Sequence, residues 1–216
     1  MRKLFNSLFV IIAAVVTFAG CTKQEIENYV GDAVTVHFVA ESIETKSAFG
    51  SPDGTTYPTL WTENDEKIHI LLNLNEEAEA GITVSEDYRT ATFSADIVAQ
   101  SSTAPYTFYA MSPASAYLGK NAERFSATIP AAQTPLAGSV DEAAQILYAI
   151  SSSYTEMPSN VPLNFKHFTA YGNLSFTNLE LDGAVVSSVS ITSSVNIAGR
   201  WSYMVADGSY TENSAS

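Results

Sequence analysis

The chain of 216 residues contains a single cysteine, Cys21, so no intramolecular disulfide can form. Basic residues are scarce as well: ten Lys and Arg stand against 23 Asp and Glu, a formal charge of −13. A surface of that sign repels phosphate backbones and anionic lipid, which argues against nucleic-acid binding and polybasic membrane docking. No apolar run approaches the ~20 residues that a transmembrane helix needs, and the stretch from Leu8 to Phe18 falls well short. Chemical motifs are also missing. There is no G-x-S-x-G elbow, no H-E-x-x-H, no phosphate-cradling loop and no dinucleotide fingerprint. The sequence therefore predicts neither an enzyme nor a cofactor.

What is present begins with the N-terminus. Arg2 and Lys3 precede the apolar stretch, which closes on the small residues Ala19 and Gly20. These are the three parts of an export signal over residues 1–20. Cys21 follows directly, and Phe18-Ala19-Gly20-Cys21 resembles the bacterial lipobox. That resemblance implies cleavage between Gly20 and Cys21, and attachment of acyl chains such as palmitate to the cysteine. Several chains together hold a soluble domain on a membrane where one is marginal. The competing reading is an ordinary signal peptide followed by a stray cysteine. Residues 21–29 then form a short acidic tether carrying Glu25 and Glu27.

From Val34 onward the periodicity is two. Val34, Val36 and Phe38 alternate with polar residues, as do Ala91, Phe93, Ala95 and Ile97, and again Phe125, Ala127 and Ile129. Such alternation predicts half-buried strands. Shorter apolar runs at 68–72, 106–111, 146–150, 161–165, 173–177, 185–191 and 201–205 are separated by Gly, Pro, Asn, Asp and Ser. Many short strands with frequent turn signals predict an all-β sandwich. Pro162 suits an edge strand, because proline has no amide to donate. Ser139 to Glu142 has capping-box spacing and predicts at most a helical turn. Asp182-Gly183 and Asp207-Gly208 read as hairpin turns. A change to Ser-rich, charge-poor texture places a boundary near Phe165–Tyr171, giving an N-terminal sandwich over 30–166 and the start of a second, incomplete one over 167–216.

The order Val34-Thr35-Val36-His37-Phe38, Glu44-Thr45-Lys46-Ser47, Trp61 with Asp65 and Ile68, then Ile129-Pro130-Ala131-Ala132-Gln133-Thr134 and Leu163-Asn164-Phe165-Lys166-His167 resembles the fimbrillin family of pilins and minor fimbrial subunits. The resemblance implies two transthyretin-like, Greek-key β-sandwich domains displayed as a lipoprotein on the outer membrane, in fimbriae and in cell adhesion. It also implies partners: other fimbrial subunits bound by donor-strand exchange, the outer membrane through lipidated Cys21, and a host or glycan ligand. The strand to be displaced would be 34–39, and Lys46 would be the proteolytic processing point.

Each singled-out residue also has a bland reading. Lys46 can be a solvated loop lysine. Trp61 and Asp65 can be core and turn, and His167 can be structural like His37 and His69, since the three lack metal-ligand spacing. The acids Glu63, Asp65 and Glu66, and Glu76, Glu77 and Glu79, fit no calcium loop. A different function class, surface glycan binding, would use exposed Tyr57, Tyr106, Tyr109 or Tyr117 as stacking platforms.

Overall fold

The computed structural model describes residues 32–41, 48–49, 59–61, 67–135, 140–172, 177, 182–183 and 185–213. The strands in chain order are β1 (Val34–Glu41), β2 (Ala48–Phe49), β3 (Thr59–Leu60), β4 (Ile68–Leu72), β5 (Glu76–Ala80), β6 (Ile82–Val84), β7 (Thr90–Ile97) and β8 (Phe108–Ser112). They continue as β9 (Tyr117–Asn121), β10 (Arg124–Ile129), β11 (Leu147–Ile150), β12 (Asn160–Leu163), β13 (Lys166–His167), β14 (Gly199–Met204) and β15 (Tyr210–Glu212). The architecture is nearly all β. Helix among the described residues is limited to two 3-10 turns, Ala114–Ala116 and Glu142–Ala144.

Three open sheets carry the structure, beside a small β2–β3 ribbon. The first runs β12-β1-β7-β6, the second β13-β11-β8-β4-β5 and the third β15-β14-β10-β9. The second sheet is the middle layer. Its residues Ile68, Ile70, Leu72, Phe108, Ala110, Leu147 and Ala149 share one core with Val36, Phe38, Ala91, Phe93, Val161 and Leu163 of the first sheet. Their immediate neighbours Leu71, Tyr109, Met111 and Tyr148 point the other way, into a second core with Phe125 and Ala127 of β10. Because successive side chains in a strand alternate faces, a strand covered on both sides reads as a continuous apolar run. This explains why all five residues of β4 and all five of β8 are buried.

The outer layers obey the alternation that the sequence shows. In β7 the buried and exposed residues alternate strictly from Ala91 to Ile97. β12 pairs with β1 alone and carries Pro162 at a sheet edge. The expected helical turn forms at Glu142–Ala144, capped by Asp141, whose carboxylate accepts from the Ala143 amide at 2.9 Å. Ser139 lies outside the described residues.

One feature differs from the pattern expected and one agrees with it. Residues 185–191 are not a strand, although they alternate like one. The polar return after Asp207-Gly208 does form, and β14 pairs with β10 in the register Arg124↔Met204 to Ile129↔Gly199. Hydrogen bonding thus crosses the boundary drawn at 166/167, tying 199–213 to the segment 117–129 within one sheet.

Candidate functional site

The first strand is paired on both of its edges. β1 pairs antiparallel with β7 over eight residues, Val34↔Ile97 through Glu41↔Thr90, and parallel with β12 from His37↔Asn160 to Ala40↔Leu163. Val36, Phe38 and Ala40 are fully buried. Phe38 stacks on Phe93, with centroids 5.0 Å apart, and meets Phe108 edge-on at 5.4 Å. On the outer face Thr35 donates to Asp96 at 2.6 Å, and His37 Nδ1 lies 2.7 Å from the Ser94 hydroxyl. Two neighbouring strands and one aromatic anchor therefore define a slot shaped to β1.

At the opposite end of the described chain lies its complement in pairing state. Val185, Val189, Ile191, Val195 and Ile197 occupy odd positions with Ser187 and Ser193 between them, whereas the even positions after Val186 are Ser188, Ser190, Thr192, Ser194 and Asn196. The apolar members are exposed, Val185 at 84% and Ile191 at 63%. None of residues 185–198 belongs to a strand. No backbone–backbone hydrogen bond joins 185–197 to another described residue. Just before it, Asp182 and Gly183 both have positive φ, 42° and 82°, as both central residues of a type I′ hairpin turn do.

Cys21, Gly20, Lys46, Asp65 and Tyr57 lie outside the described residues. Trp61 is fully buried, edge-on to Phe165 at 5.4 Å, and its amide donates to the Tyr88 carbonyl at 2.9 Å. That is a core position. His167 sits in β13 opposite Leu147, with its ring edge-on to Tyr171 at 5.2 Å. Tyr109 is buried and Tyr106 and Tyr117 are half-buried, so these three rings form no exposed platform. The structure does not gather His37, His69 and His167, and no group of three or more His, Cys, Asp or Glu able to hold a metal occurs among the described residues.

One cluster escaped the sequence. His69 is buried in β4 and faces Glu77 and Glu79 of β5, with Nε2 3.4 Å from Glu77 and Nδ1 4.0 Å from Glu79. Tyr117 of β9 stacks on the imidazole and donates to Glu77 at 3.2 Å, and Lys120 Nζ reaches Glu77 at 3.4 Å. Burial lowers the His69 pKa and outweighs the opposing pull of the two carboxylates. Burial and the Glu77 charge together raise that of Tyr117. The only advance signal was the acid cluster Glu76, Glu77 and Glu79, which sequence alone reads as solvated. His69 lines neither the depression on the outer face of the first sheet nor that on the third.

No helix among the described residues is long and apolar enough to cross a membrane. No family model, curated protein or solved structure matches the chain.

Proposed function

We propose that this chain is a cell-surface lipoprotein of the fimbrillin type, a fimbrial subunit, anchor or adhesin that assembles with other subunits by β-strand addition. The division into two transthyretin-like, Greek-key sandwiches belongs to the same proposal, as does anchorage in the outer membrane through Cys21. The observation that carries it is the segment 185–197, strand-like in its alternation, exposed in its apolar side chains and without backbone partners among the described residues. In strand addition, main-chain hydrogen bonds give affinity and alternate side chains give register. A segment of this kind, left alone, is also an aggregation hazard, so a subunit that displays it gains from a partner that pairs it.

The receiving position in this reading is the place of β1. Its loss after cleavage at Lys46 would leave β7 and β12 with unpaired inner edges and Phe93 and Phe108 without their partner Phe38. An incoming strand would need apolar residues on one face, and 185–191 offers Val185, Val189 and Ile191 there, with Ser187 between them. Gentle extraction of the native surface protein, followed by gels of boiled and unboiled samples, tests the reading. It predicts a ladder of heat-labile oligomers whose subunits begin after Lys46. A lone acylated monomer beginning at Cys21 in both samples would contradict it.

A further inference from the structure

The outer face of the third sheet carries a depression of about 460 Å³. Arg124, Arg200 and Lys120, three of only ten basic residues in the chain, line it, and Lys120 is already engaged with Glu77 and the Asn75 carbonyl. In the antiparallel β10–β14 pair Ser126 stands opposite Ser202, Arg124 opposite Met204 and Arg200 opposite Thr128. The two arginines therefore sit on the same face as the serine pair, one at each end of it. Four residue steps of ~3.4 Å separate them along the strands, so their Cα atoms lie roughly 14 Å apart. Two guanidinium arms reach across such a span to a single small ligand.

The floor between them is polar and fixed. Ser202 is fully buried and Ser126 nearly so. Their hydroxyls lie 2.7 Å apart; the Ser202 hydroxyl donates to Asn213 Oδ1 at 3.0 Å, and Asn213 Nδ2 donates to the Ser126 oxygen at 3.3 Å. Arg124 Nη1 donates to the same Asn213 oxygen at 2.9 Å. This holds the guanidinium in place while using one of its five donors. No described carboxylate forms an ion pair within 4.0 Å of either arginine. Glu212, the acid on the rim, accepts a hydrogen bond from Asn196. On β9, Gly119 lies opposite Ser126 beside a register shift and has φ +147°, and a Cβ built there would meet nothing within 4 Å. The residue that would overhang the floor thus has no side chain.

Two arginines without carboxylate partners in a chain of charge −13 form a fork for a planar oxyanion. The rest of the lining is polar, with Asn121, Ser126, Asn213, Lys120 and Glu212 against Leu118 as its apolar member, and it suits a hydroxyl-rich body better than a hydrophobic one. We propose that this depression binds a saccharide bearing a carboxylate, with Arg124 and Arg200 holding the carboxylate and the Asn213–Ser126–Ser202 network keeping Arg124 aimed. The site uses no residue of β1 and touches the segment 185–197 only through the hydrogen bond from Asn196 to the rim acid Glu212.

The test is an amide NMR titration of the folded protein with D-glucuronate, D-glucose and sodium sulfate at constant ionic strength. Glucuronate should shift Gly119, Ser126, Arg200 and Ser202 saturably, and at least tenfold more tightly than glucose or sulfate. Arg200→Gln, an exposed change with no described ion pair to lose, should weaken binding at least tenfold without altering the melting temperature. Arg124→Gln should do the same and loosen Asn213. Equal affinity for glucose, equal affinity for sulfate, no saturable shift, or undiminished binding by Arg200→Gln would each overturn the proposal.

Discussion

The ring of His69 lies flat against the ring of Tyr117, with centroids 3.8 Å apart and planes 18° from parallel. This contact joins the middle sheet to the third through β4 and β9, and it is made by an imidazole whose pKa burial lowers. Because the folded pKa of His69 is lowered from 6.5, the unfolded chain binds its proton more readily. Its contribution to stability is therefore present above the ordinary value and is lost as pH falls below it. The melting temperature is expected to fall between pH 7.5 and pH 5.5, and His69→Gln should flatten that part of the profile. An unchanged profile in the variant would place the acid sensitivity elsewhere.

A second pH effect concerns the turn beyond Ile97. Glu76 accepts the Ser101 amide at 2.7 Å, the Ser101 hydroxyl at 3.0 Å and the Ser102 amide at 2.9 Å, and it also accepts the Ser102 hydroxyl. Burial pushes this carboxyl up, but these hydrogen bonds, led by that of Ser102, together push it further down. The stabilisation is present above its ordinary value of 4.5 and is lost as pH falls through the lower folded value. Glu76→Gln should cost about 1 kcal/mol at neutral pH in chemical denaturation. A cost that persists unchanged at pH 3 would contradict this origin.

The two cores make a prediction about cooperativity. Phe38 lies in the core between the first and middle sheets and Phe125 in the core between the middle and third, and both are almost wholly buried. Each truncation to alanine should cost about 3–5 kcal/mol. Since β4, β8 and β11 belong to both cores, either change should lower one shared unfolding transition. Two separable transitions, each moved by only one of the variants, would contradict a common middle layer.

How much of this was legible in the sequence depended on how many faces each strand buries. The alternation from Ala91 to Ile97 and from Val34 to Phe38 announced strands with one covered face, and both are present. Ile68–Leu72 was visible only as a short apolar run, because a strand covered on both faces loses its alternation. Glu76–Ala80 escaped as a strand because its acids lie at a sheet edge, where charge is tolerated and deters further pairing. The arginine-lined depression was invisible, since Arg124 and Arg200 are 76 positions apart in the chain and meet only through the β10–β14 register. The segment 185–191 misled in the other direction. Its alternation is that of a strand, but pairing requires a neighbour as well as a pattern.

That segment also yields a test by substitution. Val189→Lys combined with Ile191→Lys places charge on two exposed apolar positions. The folded subunit should keep its stability to within about 0.5 kcal/mol, as surface changes usually do, while its heat-labile oligomers disappear. Oligomers that survive the double change would remove 185–197 from the assembly interface.

The most direct measurement of the central claim is hydrogen exchange of the backbone amides of residues 185–197 in the isolated subunit and in the assembled material. Strand addition predicts rapid exchange in the subunit and strong protection after assembly, with the slowing concentrated on the amides that join a partner strand. Equally rapid exchange in both states would show that this segment is not the strand that joins one subunit to the next.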